Sequence, residues 1–174
     1  MNVILIGFMG CGKSTIGIKL SYRLRRPLLD TDKMIEKEEN RAISDIFATD
    51  GEGHFRDLET QCLKKLIQTE KNQIISVGGG LPIREENHTL LKELGTVVYL
   101  RAKPETIYER VKYDTTRPLL RGENPQEKIR ILMGQRTAIY EKVADVIIDV
   151  DEKDFDTILD EIAERLIESS FLEQ

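Results

Sequence analysis

Short apolar runs alternate along the chain with longer stretches in which apolar positions recur every three or four residues. The runs are Val3 to Ile6, Pro27 to Leu29, Ile74 to Val77, Val97 to Leu100 and Val146 to Ile148. None of them alternates with polar residues, which is the pattern of strands covered on both faces and hence of a parallel sheet. Between the runs, Phe55, Leu58, Cys62 and Leu66 fall on one helical face, and so do Ile158, Ile162 and Leu166. Strands and helices in alternation predict an α/β fold with right-handed crossovers. No repeat, low-complexity tract or linker divides the chain. Residues 1–174 therefore read as a single domain, with Glu168 to Gln174 as a frayed end.

One stretch breaks the pattern. Tyr113 to Pro125, YDTTRPLLRGENP, keeps no period and carries two arginines, which predicts a mobile loop or lid over about 112–124. Asn124 as N-cap, Pro125 in the first helical position and Glu127 as reciprocal partner predict the start of the next helix.

Composition narrows the function classes. With 40% hydrophobic and 33% charged residues, the chain suits an ordinary globular protein. A formal charge of -5 argues against general affinity for nucleic acid or anionic lipid, so any basic groups that matter must act locally. The two cysteines, Cys11 and Cys62, are too few for a disulfide framework, which predicts a reducing cytoplasm. No stretch approaches membrane-spanning length, and the N-terminal apolar run is too short for a signal peptide.

Directly after the first strand stands GFMGCGKS, Gly7 to Ser14, which meets G-x-x-x-x-G-K-[ST] at every fixed position and leads into a helix. Its glycines let backbone N–H groups converge on phosphate oxygens, and the helix N-terminus favours the same anion. Lys13 is then expected on the β- and γ-phosphates and the Ser14 hydroxyl on Mg2+. The loop alone does not choose among kinases, GTPases and motors. A guanine-reading N-K-x-D is absent, and Asp50-Gly51-Glu52-Gly53 matches D-x-x-G only formally, after a helix-like run. A short chain with a lid fits a small kinase, in which closure keeps water from the transferred phosphoryl group.

The second strand ends in Leu29-Asp30-Thr31-Asp32, two carboxylates on one side of a strand's carboxyl end. Either Asp32 caps a helix starting at Lys33, or the pair serves metal and an acceptor hydroxyl. Arg56 and Glu59 have the spacing of an ordinary surface ion pair. Arg136 falls on the apolar stripe of Ile129, Leu132, Met133 and Tyr140, where a guanidinium needs an anion: a ligand carboxylate or a buried structural partner. Gly78, Gly79 and Gly80 mark either close backbone approach of a ligand or a plain turn.

Taken together, GFMGCGKS, LLDTD, DIFATDGEGHFRDLE, SVGGG, TTRPLL and Arg136 resemble the shikimate kinase family, in the same order and over nearly the whole chain. The resemblance implies an α/β P-loop three-layer sandwich with a five-stranded parallel sheet of order 2-3-1-4-5, flanked by helices and carrying a mobile lid. It implies transfer of the γ-phosphoryl group of ATP to the 3-hydroxyl of shikimate in aromatic amino-acid biosynthesis. Nucleotide contacts are then expected at Gly10, Cys11, Gly12, Lys13, Ser14, Thr15, Arg110 and Arg117, with Arg110 against adenine and Arg117 supplied by the lid. Shikimate contacts are expected at Asp32, Arg56, Gly78, Gly79, Gly80 and Arg136, within a helical segment over about 32–60 and beyond it. Asp32 engages the ring hydroxyls, the two arginines the carboxylate, and Glu59 orients Arg56. Mg2+ is expected on Ser14 directly and on Asp30 through water, and catalytic roles fall on Lys13, Asp32 and Arg117. A cytoplasmic monomer without nucleic-acid or membrane partners is implied. One departure is that the family usually has a proline in its adenine loop, where this chain reads DVDEKDF over 149–155, including Lys153; looser selection of the base follows. Gluconate and nucleoside-monophosphate kinases are rivals within the fold, and LLDTD, Phe55-Arg56 and Arg136 argue against both. A nucleotide sensor without catalysis would have no use for the acidic pair and the lid arginine.

Overall fold

A computed structural model describes residues 1–114 and 121–172, with side chains through Ser169. Five parallel strands form one sheet in the order β2-β3-β1-β4-β5. They are β1 (Asn2–Ile6), β2 (Leu28–Asp30), β3 (Ile74–Ser76), β4 (Gly95–Arg101) and β5 (Val146–Asp149). The order is the one the family resemblance implied.

The central strand β1 pairs Val3 with Ile74 of β3 on one side and with Thr96 of β4 on the other. Each of its residues is buried, which is why it reads as an unbroken apolar run. Helices α1 (Lys13–Leu24) and α7 (Phe155–Leu172) contact each other and the sheet. Helices α3 (Ile43–Thr69), α4 (Glu86–Leu94) and α6 (Pro125–Val143) form a second contacting group. Two short helices, α2 (Thr31–Glu39) and α5 (Pro104–Val111), follow the ends of β2 and β4. Ile4, Leu5, Ile6, Leu20, Leu63, Leu91, Val98, Leu100 and Ile162 lie in one continuous core. Among the described residues, no helix is long and apolar enough to cross a membrane.

Two local expectations change, and one long helix carries a bend. Helix α6 does begin at Pro125, but Asn124 sits in the left-handed region (φ 55°, ψ 59°) and its side chain makes no cap bond. Glu127 turns instead to Arg130, 2.6 Å away, so no reciprocal cap forms. Helix α7 continues through Leu172, past the expected fraying point at Glu168, and Glu173 and Gln174 lie outside the described residues. Helix α3 is bent at Gly51 (φ 84°, ψ 171°), inside the segment that carries the formal D-x-x-G match. Cys11 and Cys62 are both free and buried.

Candidate active site

The site lies at the carboxyl ends of β1, β2 and β3, where an open parallel sheet gathers its ligands. A cleft of about 310 Å³ is lined there by Gly10, Gly12, Lys13, Ser14, Thr15, Asp30, Asp32, Ser76, Val77, Gly78 and Gly79.

Its phosphate wall is the turn from β1 into α1. Gly10 (φ 74°) and Gly12 (φ 103°) take backbone conformations that side-chain-bearing residues rarely adopt. The Lys13 ammonium folds back over the turn, donating to the Gly7 carbonyl at 2.6 Å and the Phe8 carbonyl at 3.2 Å. From α5, Arg110 donates to the Cys11 carbonyl at 2.8 Å and lies 3.3 Å from that of Gly10, so α5 is tied directly to the loop. The Cys11 side chain is buried in the core, and its Sγ accepts from the Lys13 ammonium at 3.8 Å. The chain after β5 is also anchored to α5: Asp151 accepts from the Lys103 N–H at 2.9 Å and the Thr106 hydroxyl at 2.6 Å. Lys153 pairs with Glu161 of α7 at 2.8 Å.

The acidic pair divides its labour differently from the capping alternative. Helix α2 starts at Thr31, and its cap is Asp30, whose Oδ1 accepts from the Lys33 N–H at 3.1 Å. Asp32 is thereby free of capping and lines the cleft. Burial, then the neighbouring Asp30 charge, push its carboxyl up to about 6, with Lys13 pulling the other way.

Arg56 and Glu59 are no ordinary surface pair. Glu59 is 1% exposed and accepts from Arg56 Nη1 at 2.7 Å. Among the described residues its other oxygen, Oε1, has no hydrogen-bond partner. Burial pushes this carboxyl up to about 7 against the pull of Arg56. Gly78 is held between carboxylates, because a Cβ there would lie 2.7 Å from Asp32 Oδ1 and 3.1 Å from Glu59 Oε1. Gly80 lies against the guanidinium of Arg56, with which any Cβ would collide. Gly78 and Gly80 thus let charged side chains pack close on the backbone, which a plain turn would not explain, whereas a Cβ on Gly79 would meet only ordinary contacts with Gly7, Met9 and Tyr140.

On α6, Arg136 is half-buried, its Cζ 5.8 Å from the centre of the Phe8 ring, and among the described residues no carboxylate pairs with it. One turn later, the Tyr140 hydroxyl donates to the Gly79 carbonyl at 2.5 Å. Arg117 and the rest of 115–120 lie outside the described residues.

Sequence reasoning missed Thr31, Ser76 and Tyr140. Buried Thr31 accepts from the Gly78 N–H at 3.2 Å, joining the acidic turn to the glycine turn. Its signal was its place between the two aspartates. Tyr140 was assigned to the apolar stripe, and a buried tyrosine hydroxyl needs a partner. Ser76 carried no signal beyond ending a strand.

A glycine-rich phosphate loop and an acidic strand end around one cleft define a P-loop phosphotransferase. Residues 9–167 match the family model described as shikimate kinase. A shikimate kinase of Thermodesulfovibrio yellowstonii is 43% identical over 166 residues, covering 95% of this chain and 92% of the relative. A solved shikimate kinase of Acinetobacter baumannii in complex with shikimate superposes with a TM-score of 0.89 at 35% identity, covering 97% of this chain and 93% of that one. The Aquifex aeolicus shikimate kinase superposes at 0.85 with 39% identity, covering 98% of both. The chain belongs to the shikimate kinase family.

Proposed function

We propose that the protein transfers the γ-phosphoryl group of ATP to the 3-hydroxyl of shikimate, giving ADP and shikimate 3-phosphate. The observation that carries this reading is the single cleft in which the phosphate loop faces Asp32 and the Gly78–Gly79 backbone. Phosphoryl transfer needs little covalent chemistry from a protein and depends on positioning and charge. Lys13 supplies positive charge to the β- and γ-phosphates. Asp32 orients the acceptor hydroxyl and is placed to take its proton. Arg56 and Arg136 hold the acceptor's carboxylate, a task for which guanidinium geometry is suited. Arg110 and Arg117 serve the nucleotide, and Glu59 fixes the direction of Arg56.

The donor set suits Mg2+. Among the described residues no three His, Cys, Asp or Glu side chains cluster as a metal site. Mg2+ commonly takes only one or two protein ligands and keeps waters and phosphate oxygens for the rest. Ser14 would hold it directly and Asp30 through water, and the ion would neutralise charge on the phosphates. The reading is completed by a monomer acting in the cytoplasm, with small molecules as its only partners.

Coupled ADP release with Mg-ATP, with and without shikimate, tests the assignment in the wild type and in Asp32→Asn. Shikimate-dependent turnover that disappears in Asp32→Asn is expected. ADP release indifferent to shikimate would overturn the acceptor and leave only nucleotide binding.

A further inference from the structure

Two donors of Arg56 are engaged within the chain. Nη1 donates to Glu59 Oε2 at 2.7 Å, and Nη2 donates to Glu52 Oε1 at 3.1 Å. The two carboxylates differ in kind. Glu59 is 1% exposed, so burial fixes its pairing, whereas Glu52 is 66% exposed and reaches Arg56 from one turn earlier on α3. A Cβ on Gly80 would collide with Cζ, Nη1 and Nη2, so the guanidinium packs against this glycine on one side. An anion must therefore come to its edges, and of the two Nη groups the one that Glu59 does not hold is the one that Glu52 takes. The bend at Gly51 makes Glu52 the first residue of the second helical stretch. Glutamate four residues before arginine is the favourable order for a helical pair.

We propose that Glu52 is a rival carboxylate built into the acceptor site: it holds Arg56 Nη2, one of the donors open to an acceptor's carboxylate, and yields it when that carboxylate docks. Glu52 thereby sets acceptor affinity without touching the reacting atoms. The inference rests on the assignment of the acceptor's carboxylate to Arg56. An exposed ion pair is weak and readily exchanged, while the buried Glu59 pair is not. Exchange of one carboxylate for another also keeps the charge beside Arg56 constant. A site with only Glu59 in place would bind the acid more tightly, so Glu52 limits affinity and favours release of the equally carboxylated product.

The test compares Glu52→Gln with Asp57→Asn. Asp57 is a neighbour on the same helix that pairs with Arg84 at 2.7 Å and does not pair with Arg56. Shikimate affinity is measured by calorimetry, and turnover at saturating Mg-ATP. Glu52→Gln is expected to lower both Kd and KM for shikimate about threefold, with kcat and the KM for ATP unchanged. Asp57→Asn is expected to match the wild type. Shikimate methyl ester, which lacks the charge, is expected to bind Glu52→Gln and wild type alike. A raised or unchanged shikimate Kd in Glu52→Gln would overturn the proposal, because Glu52 would then be steadying Arg56 or doing nothing. Equal gains in both variants, or a gain that extends to the ester, would also overturn it. Shikimate binding without turnover in the wild type would remove the transfer reaction, and the Glu52 comparison would still be decided by the Kd values.

Discussion

In the half of the cleft that we assign to phosphate, the loop residues that line it come from one unbroken stretch, Gly7 to Thr15, and much of their proposed work is done by backbone. In the half that we assign to the acceptor, Asp32 comes from α2, Arg56 and Glu59 from α3, Gly78 to Gly80 from the turn after β3, and Arg136 from α6. The difference lies in what each half must recognise. A phosphate chain can be held by convergent N–H groups and a helix end, which a short local sequence can encode. An acid with several hydroxyls needs side chains at fixed angles, and only tertiary packing supplies them. One half is therefore written locally and the other is assembled.

If the halves are independent, the largest effect should come from the phosphate side and leave the acceptor side intact. Lys13→Met is expected to lower kcat by about 10²- to 10³-fold if, as proposed, Lys13 brings charge to the transferring group. Shikimate Kd, measured by calorimetry without nucleotide, should stay at the wild-type value. The comparison breaks if that Kd rises in step with the loss of turnover. The bonds from Lys13 to the Gly7 and Phe8 carbonyls would then be shaping the acceptor side as well.

The converse change is smaller. Gly80→Ala places a methyl group against the Arg56 guanidinium. Overpacking of this kind costs about 1–3 kcal/mol, so the KM for shikimate should rise about tenfold while the KM for ATP holds. Steady-state kinetics with each substrate varied in turn checks it. A larger change in the ATP constant would mean that the glycine turn belongs to the phosphate half.

Legibility follows the same division. The loop GFMGCGKS declared its chemistry outright, and the central strands declared theirs, because β1 is buried on both faces and its composition shows it. The residue pattern alone left Asp32 open between cap and ligand. The cap turned out to be one position from the helix start at Thr31, and Asp30 took it. Arg56 and Glu59 had the spacing of a surface pair, and nothing in a spacing of three reports that Glu59 is sealed from solvent by α3 packing. Thr31 and Tyr140 were invisible as site residues because each acts by gripping the backbone of the glycine turn, a contact between elements far apart in sequence.

The smallest effect tests whether the acceptor half was assembled at a cost to stability. Asp32 is pushed up to about 6 by burial and by Asp30, with Glu36 adding to the rise and Lys13 and Arg56 opposing it. An unperturbed aspartate titrates near 3.8. The folded chain therefore holds the proton more tightly than the unfolded chain between those values. Stability from this group is greatest below the unfolded value and is lost as pH rises through about 6, so its cost is fully present at pH 8. Asp32→Asn removes that cost. After discounting for partial exposure, the variant should be about 1–2 kcal/mol more stable than wild type in urea unfolding at pH 8. The gain should shrink as pH falls through about 6 and be smallest below 3.8, where the wild-type carboxyl is protonated in both states. A loss of stability at pH 8 would mean that Asp32 is needed to balance Lys13 and Arg56, which would make the carboxylate structural as well as functional. A gain at pH 8 alongside lost turnover would show that this position is held by function against stability, as expected where a charge is kept partly buried for a ligand.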